Sequence, residues 1–333
     1  MDYSLGYSAK YHACLVDPAT WADEERIEIL AGNVNRESTG LRQSADINCV
    51  DYADGSDKWI RIWMEAEQGG DADNEPLFTG LTSAPEEIIE GTYSESTVEC
   101  YSVLKPAQDV LLPRGWFASK GFIGTDIIKS LLSVTPAPVV VESGSPRLSQ
   151  HIVAESGESN LSMIDKILTA INWRMRIDGD GTITVCPYSK EERVVFSALS
   201  NDAIEPSVTR TNDMFNCPNV FRAVSDTASY TVYDRSDSAL SITSRGREVW
   251  KEESSVKLND GETLAAYANR RLKELQSVGE ELSFDRSYSP DLQPTDKIRL
   301  NYPAQDLSGI FIVKSQKIKL DHCATTSEEV IRD

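Results

Sequence analysis

At 333 residues, with 40% hydrophobic and 26% charged side chains, six Trp and twelve Tyr, the composition is that of a folded globular chain and argues against wholesale disorder. Single cores stop growing at roughly 250 to 300 residues, so two or three modules are expected. Net charge is −20, and residues 1–112 hold 22 Asp and Glu against 7 Lys and Arg, the opposite of the clustered cations that a nucleic-acid-binding surface needs.

In chain order, period-two alternation predicts strands at 9–16, 26–34, 44–51, 58–67, 77–85 and 92–103. Lys58-Trp59-Ile60-Arg61-Ile62-Trp63-Met64-Glu65 is the clearest case. Asp54-Gly55 and Gln68-Gly69-Gly70-Asp71 supply turns between them. Thr125 to Leu132 has helical spacing, with Thr125 as cap and Ile127, Ile128, Leu131 and Leu132 as its apolar face. After a proline-rich crossing at 135–146, Ser159-Asn160 caps a second helix, in which Leu161, Ile164, Leu168 and Ile171 recur on one face before Trp173. Segments 174–177 and 182–187 flank Asp178-Gly179-Asp180-Gly181 and read as a hairpin. Strands follow at 207–210, 220–224, 229–233 and 238–243. A helix from about Glu262 to Ser277, capped by Asp260, then carries Leu264, Tyr267, Ala268, Leu272 and Leu275 on its inner face. Strands at 281–288, 297–302 and 310–320 close the chain. The class expected is α+β, β-dominated.

Several motifs carry residue types that could support chemistry. Asp178-Gly179-Asp180-Gly181-Thr182 matches the middle of an EF-hand loop, but the register puts Arg176 at the first ligand and Pro187 at the twelfth, and neither coordinates calcium. His12, His151 and His322 fit no HExxH or other zinc spacing. Asp321-His322-Cys323 has the residue types of a thiol nucleophile and its base, but as neighbours on a strand they are expected to point to opposite faces. The phosphate loop, the dinucleotide fingerprint and the esterase elbow are all absent. Trp59, Trp63, Trp116 and Trp173 are read as core or subunit interface, with stacking on sugars as the alternative. The six cysteines, 14, 49, 100, 186, 217 and 323, are dispersed without CxxC and read as reduced, mostly buried small hydrophobes. Met1–Gly6 is no secretory signal and no stretch approaches a membrane span, so synthesis and folding in a cytoplasm are expected. No catalytic, cofactor-binding or metal residue is assigned.

Several segments together resemble the tail hub, or baseplate hub, proteins at the tail tip of long-tailed phages and related contractile injection systems. Leu77-Phe78-Thr79-Gly80-Leu81-Thr82 and Ser96 to Leu104 resemble closing strands of the hub's first barrel. Asn160 to Pro187 resembles the next module, Met214 to Phe221 the return strand, Ser244-Arg245-Gly246-Arg247-Glu248 a turn, and Ala265 to Leu275 the helix after it. Ser289-Pro290-Asp291-Leu292-Gln293-Pro294-Thr295-Asp296 is similar to a proline-framed corner in which Thr295 stands where the family usually has Gly. The resemblance implies two tube-like β-barrel modules with an α/β module between them: 1–112 as the first barrel, 113–190 as the α/β module, 191–280 as return strands of the second barrel with a helical insertion, and 281–333 as its closing strands. It implies a non-enzymatic virion protein, assembled in the bacterial host cytoplasm. A homotrimer would adapt the sixfold tail tube to a threefold tip and line an acidic conduit for tape measure and DNA during ejection. Its partners would be tail-tube or distal-tail rings, a tip or spike protein and the tape-measure protein, with DNA passing unbound. The alternatives are a distal-tail or receptor- or carbohydrate-binding module, and a divergent cell-wall hydrolase.

Overall fold

The computed structural model describes residues 1–333 except 2, 4–5, 51, 53–55, 91–92, 189–191, 198–203, 212–213, 226–227, 255, 257–262, 277–280, 303–306 and 333. The chain divides into two compact units, one made of Met1–Val208 with Ser283–Ile331 and the other of Thr209–Leu282. The expected Asp54-Gly55 turn and Asp260 cap lie outside the described residues.

The larger unit begins with β1 (Ser8–Val16), β2 (Asp23–Glu37), β3 (Gln43–Val50), β4 (Trp59–Gln68), β5 (Asp71–Thr82), β6 (Glu86–Glu90) and β7 (Tyr93–Ser102). Antiparallel pairing runs β1–β4–β5–β7–β3–β2 and returns from β2 to β1, so these six strands form a closed barrel with no free edge. Alternation decides what fills it. Ile60, Ile62 and Met64 of β4, Ile47 of β3, Phe78 of β5 and Val98 of β7 are fully buried in one core. Burying a side chain of this size is worth about 1.5–3 kcal/mol.

The chain then leaves the barrel through α1 (Lys105–Asp109), β8 (Phe117–Ala118), α2 (Gly124–Leu131), β9 (Val139–Val141), β10 (Ile152–Val153), α3 (Asn160–Ile171), β11 (Trp173–Ile177) and β12 (Ile183–Pro187). Ser159 caps α3 by accepting from Ser162 N, and Asn172 ends it in the left-handed conformation. Met163, Ile164, Ile167 and Leu168 of α3 bury against Ile128 and Leu132, with Trp173 and Val185 in the same core. The helix near Thr125 starts two residues before the position its expected cap implies: Ile123 is the N-cap without a side-chain bond, and Thr125 is buried inside α2. The proline-rich crossing contains β9, which pairs parallel with β12.

β13 (Glu192–Ser197) and β14 (Ile204–Thr211) follow. The smaller unit holds β15 (Val220–Val224), β16 (Ser229–Tyr233), α4 (Ile242–Arg245), β17 (Trp250–Glu253) and α5 (Leu264–Gln276). The strand expected at 238–243 is instead a turn leading into α4. Leu240 N donates to Ser238 Oγ, and Ser241 caps the helix by accepting from Ser244 N, so serine side chains satisfy the backbone locally in place of a ladder. The helix α5 packs Ala268 and Leu272 on Phe221 and Ala223.

Finally β18 (Glu281–Arg286), β19 (Lys297–Tyr302), β20 (Leu307–Lys319) and β21 (Thr326–Arg332) join the barrel strands in one thirteen-stranded sheet, in which β20 pairs with β2. Among the described residues β13 pairs parallel with β19, whereas β19 with β20, β20 with β2 and every pairing around the barrel are antiparallel. The structure is thus β-dominated, with a large antiparallel sheet. Asp321-His322-Cys323 does not lie on a strand but in the turn joining β20 to β21. The alternation of β20 stops at Lys319, and Ala324 turns the chain with a φ of 50°.

Candidate functional site

Two of the motifs behind the resemblance interlock. On β5, Phe78 enters the core, and a Cβ on Gly80 would lie 2.1 Å from Tyr101 O and 2.5 Å from Phe78 Cζ. Thr79 faces the other way and donates from Oγ1 to Gly179 O at 2.7 Å. Gly179 sits in the β11–β12 hairpin, where a Cβ would fall 1.6 Å from Pro76 O. Asp180 O accepts from Trp21 Nε1 at 2.9 Å and from Arg61 Nη2 at 3.1 Å. The Asp178-Gly179-Asp180-Gly181 turn is therefore a plug seated on the barrel wall. Its carboxylates are engaged: Asp178 Oδ1 accepts from Gln293 Nε2 at 3.0 Å, and Asp180 accepts from Thr182 N at 2.8 Å and Thr182 Oγ1 at 3.0 Å.

The proline-framed corner packs on the same hairpin. Asp296 is fully buried and lies 3.0 Å from Arg174 Nη1 and 3.2 Å from Arg176 Nη1. Thr295 has a φ of 76°, the left-handed region that Gly adopts without penalty, and its Oγ1 accepts from Arg174 at 2.8 Å.

Register, which sequence reasoning does not supply, exposes an acidic ladder on the outer face of the barrel. Glu99 of β7 stands directly opposite Asp46 of β3, and Asp46 opposite Asn33 of β2. Asn33 in turn faces Lys319 of β20, one row from Asn35 and Lys317. Both acids are exposed, and among the described residues neither has a cationic partner. Like charges directly opposite on a sheet are destabilising, so this placement is not a stabilising feature of the barrel. Tyr101 OH donates to Glu99 Oε2 at 3.0 Å, and that bond pushes the phenol pKa upward.

The other sequence candidates are dispersed. His12 lies on β1, where burial lowers its pKa although Glu65 Oε1 is 3.1 Å away. His151 Nδ1 accepts from Lys120 N at 3.3 Å. Five cysteines are buried and none of the six is paired in a disulfide; burial pushes Cys49 up to about 12, which leaves it unreactive. Asp321, His322 and Cys323 do not diverge as strand neighbours would. Being in a turn, they bring one donor atom each to within 4.8 Å of one another.

Of the four tryptophans singled out, Trp173 is buried and Trp59, Trp63 and Trp116 are half-buried. Trp59 packs on Trp21 with ring centroids 5.5 Å apart, and Trp63 Nε1 donates to Asp23 Oδ2 at 2.8 Å. The exposed tryptophan is Trp250, 45% accessible, on the face of the smaller unit's sheet opposite α5. Tyr233 stands edge-on to it at 5.9 Å, and Arg222 lies over its ring at 4.9 Å. Its strand is four residues long and shows no alternation, so no periodic signal marked it.

No helix among the described residues is long and apolar enough to cross a membrane. No protein-family model and no curated protein matches the sequence. Solved structures do. The 43 kDa tail protein of prophage MuSo2 from Shewanella oneidensis superposes with a TM-score of 0.66 at 12% identity, covering 97% of this chain and 98% of that one. A tail protein from Neisseria meningitidis MC58 gives 0.66 at 16% identity, covering 99% and 97%. Prophage tail protein gp18 from Listeria monocytogenes EGD-e gives 0.54 at 10% identity, covering 97% and 94%. At these identities the likeness is one of fold, and over nearly its whole length the chain has the fold of these prophage tail proteins.

Proposed function

We propose that the chain is a structural component of a phage-type tail, the hub at the distal end of the tail tube. The observation that carries this reading is the near-complete mutual coverage with prophage tail proteins. In this reading residues 1–112 are one tube-like barrel and 191–333 supply a second, with 113–190 as the α/β module between them. Three copies place six barrels in a ring, matching a sixfold tube above and a threefold tip below. Tail-tube or distal-tail rings, a tip or spike protein and the tape-measure protein are its neighbours, and the virion is its location. No residue makes or breaks a covalent bond.

The acidic ladder is what such a conduit requires. A wall bearing Asp46 and Glu99 repels the DNA backbone, so DNA passes without adhering. The double variant Asp46→Lys/Glu99→Lys is expected to assemble into tails of normal length while lowering infectivity about tenfold or more, because cations bind phosphate. Unchanged infectivity with the variant present in particles would remove the conduit role.

A second reading, a receptor- or carbohydrate-binding module, is favoured by the exposed Trp250, Tyr233 and Arg222 array, since sugars stack on aromatic faces. Trp250→Ala separates the two: loss of adsorption with intact tails supports binding, and normal adsorption removes it.

A further inference from the structure

We propose that the turn between β20 and β21 is a binding site for a transition-metal ion of the zinc class, held by Asp321, His322 and Cys323. Their donor atoms, a carboxylate oxygen, an imidazole nitrogen and a thiol sulfur, lie within 4.8 Å of one another. Bond lengths of about 2.0–2.3 Å in a tetrahedral zinc site put ligands about 3.5 Å apart. Closing the site thus takes about 1 Å of side-chain rotation, from a turn in which His322 is exposed and Asp321 and Cys323 are half-buried. The donor set selects the metal class. Sulfur and nitrogen ligands suit zinc and its neighbours, whereas calcium and magnesium take oxygen.

Three consecutive residues converge because the backbone beneath them is fixed. Ala324 N donates to Asp321 O at 3.2 Å, closing the turn. Asp321 Oδ1 accepts from Cys323 N at 3.2 Å and Thr325 N at 3.1 Å, which holds the carboxylate beside the cysteine. The carbonyl of each ligand residue is also tied to the start of the barrel: Tyr11 OH donates to Asp321 O at 2.6 Å, Ala9 N to His322 O at 2.8 Å and Tyr7 OH to Cys323 O at 2.9 Å. A metal therefore meets a pre-positioned backbone and needs only side-chain adjustment, which is how binding sites limit their entropic cost. Cys323 is the one cysteine of the six that is not buried, so it alone is open to a metal from solvent. Three protein ligands leave the fourth tetrahedral position to water.

The test is titration of the chelator-treated, reduced full-length chain with cobalt(II), an optical stand-in for zinc. One cobalt per chain is expected, with a thiolate-to-cobalt charge-transfer band in the near ultraviolet that Cys323→Ser abolishes, His322→Ala weakens and zinc displaces. No such band, or a band that persists in Cys323→Ser, overturns the proposal. A second measurement needs no variant. Zinc is expected to slow alkylation of Cys323, read by mass spectrometry, by about tenfold or more, since a coordinated thiolate is withdrawn from attack. Equal rates with and without zinc also overturn it.

Discussion

Asp296 neutralises two guanidinium groups where water cannot. Arg174 is 3% and Arg176 14% accessible at the side chain, and the carboxylate is fully buried. Removing one partner of such a buried group costs about 3–5 kcal/mol, because the remaining charge stays desolvated. Asp296→Ala is therefore expected to lower the denaturation midpoint by an amount equivalent to at least about 3 kcal/mol; chemical denaturation checks it. Thr295 beside it has a φ of 76°, a conformation that Gly adopts without penalty and Thr does not. A left-handed non-Gly residue costs about 1–2 kcal/mol, which the bond from Arg174 to its Oγ1 offsets. Thr295→Gly is expected to fall within about 1 kcal/mol of wild type. Thr295→Val keeps the strain and loses the bond, and should destabilise by about 1–3 kcal/mol. The sequence showed the odd residue at this corner but not its compensation, since Arg174 lies 121 residues away.

Among the elements, those with one buried and one wet face were legible. The strand Trp59–Gln68 alternates because the barrel core fills one side of it, and α3 announces itself by its Ser159 cap and apolar face. Short elements were not. Val139–Val141 is three residues long, too few to display a period, and is a strand only because residues 183–185 pair with it. The β20–β21 turn was missed because its left-handed position holds Ala324 instead of Gly, so nothing punctuated the alternation. The Asp-Gly hairpin was read correctly as a turn, yet its seat on β5 comes from contacts a hundred residues away in sequence.

One element contact sets a pH dependence. Glu253 of β17 accepts from Arg271 and Tyr267 of α5. The Arg271 bond holds its carboxyl below the ordinary 4.5 despite opposing burial. A depressed folded pKa means stability that is fully present above the ordinary value and is lost as pH falls through the folded one. The docking of α5 is thus expected to be intact at neutral pH and to weaken only below about pH 4.5. Backbone-amide exchange in α5 checks this, with Glu253→Gln flattening the acid limb.

At the scale of the whole molecule, composition and charge excluded classes of function without selecting one. The acidity of residues 1–112 was visible in the sequence, but the opposition of Asp46 and Glu99 exists only through the strand register. The ordered weak motifs anticipated the fold because they mark packing positions: Gly80 under Phe78, Gly179 against Pro76, Asp296 between two arginines. Such positions constrain backbone geometry and leave surfaces free to vary, and the fold is shared at only 12% and 16% identity. The hub claim is tested most directly by electron cryomicroscopy of intact tails with this chain located in the density. Three copies are expected at the distal end of the tube, with six barrels around an open bore and Asp46 and Glu99 facing that bore. A sixfold ring of this chain, a single copy per tail, or an acidic ladder turned away from the bore would contradict it.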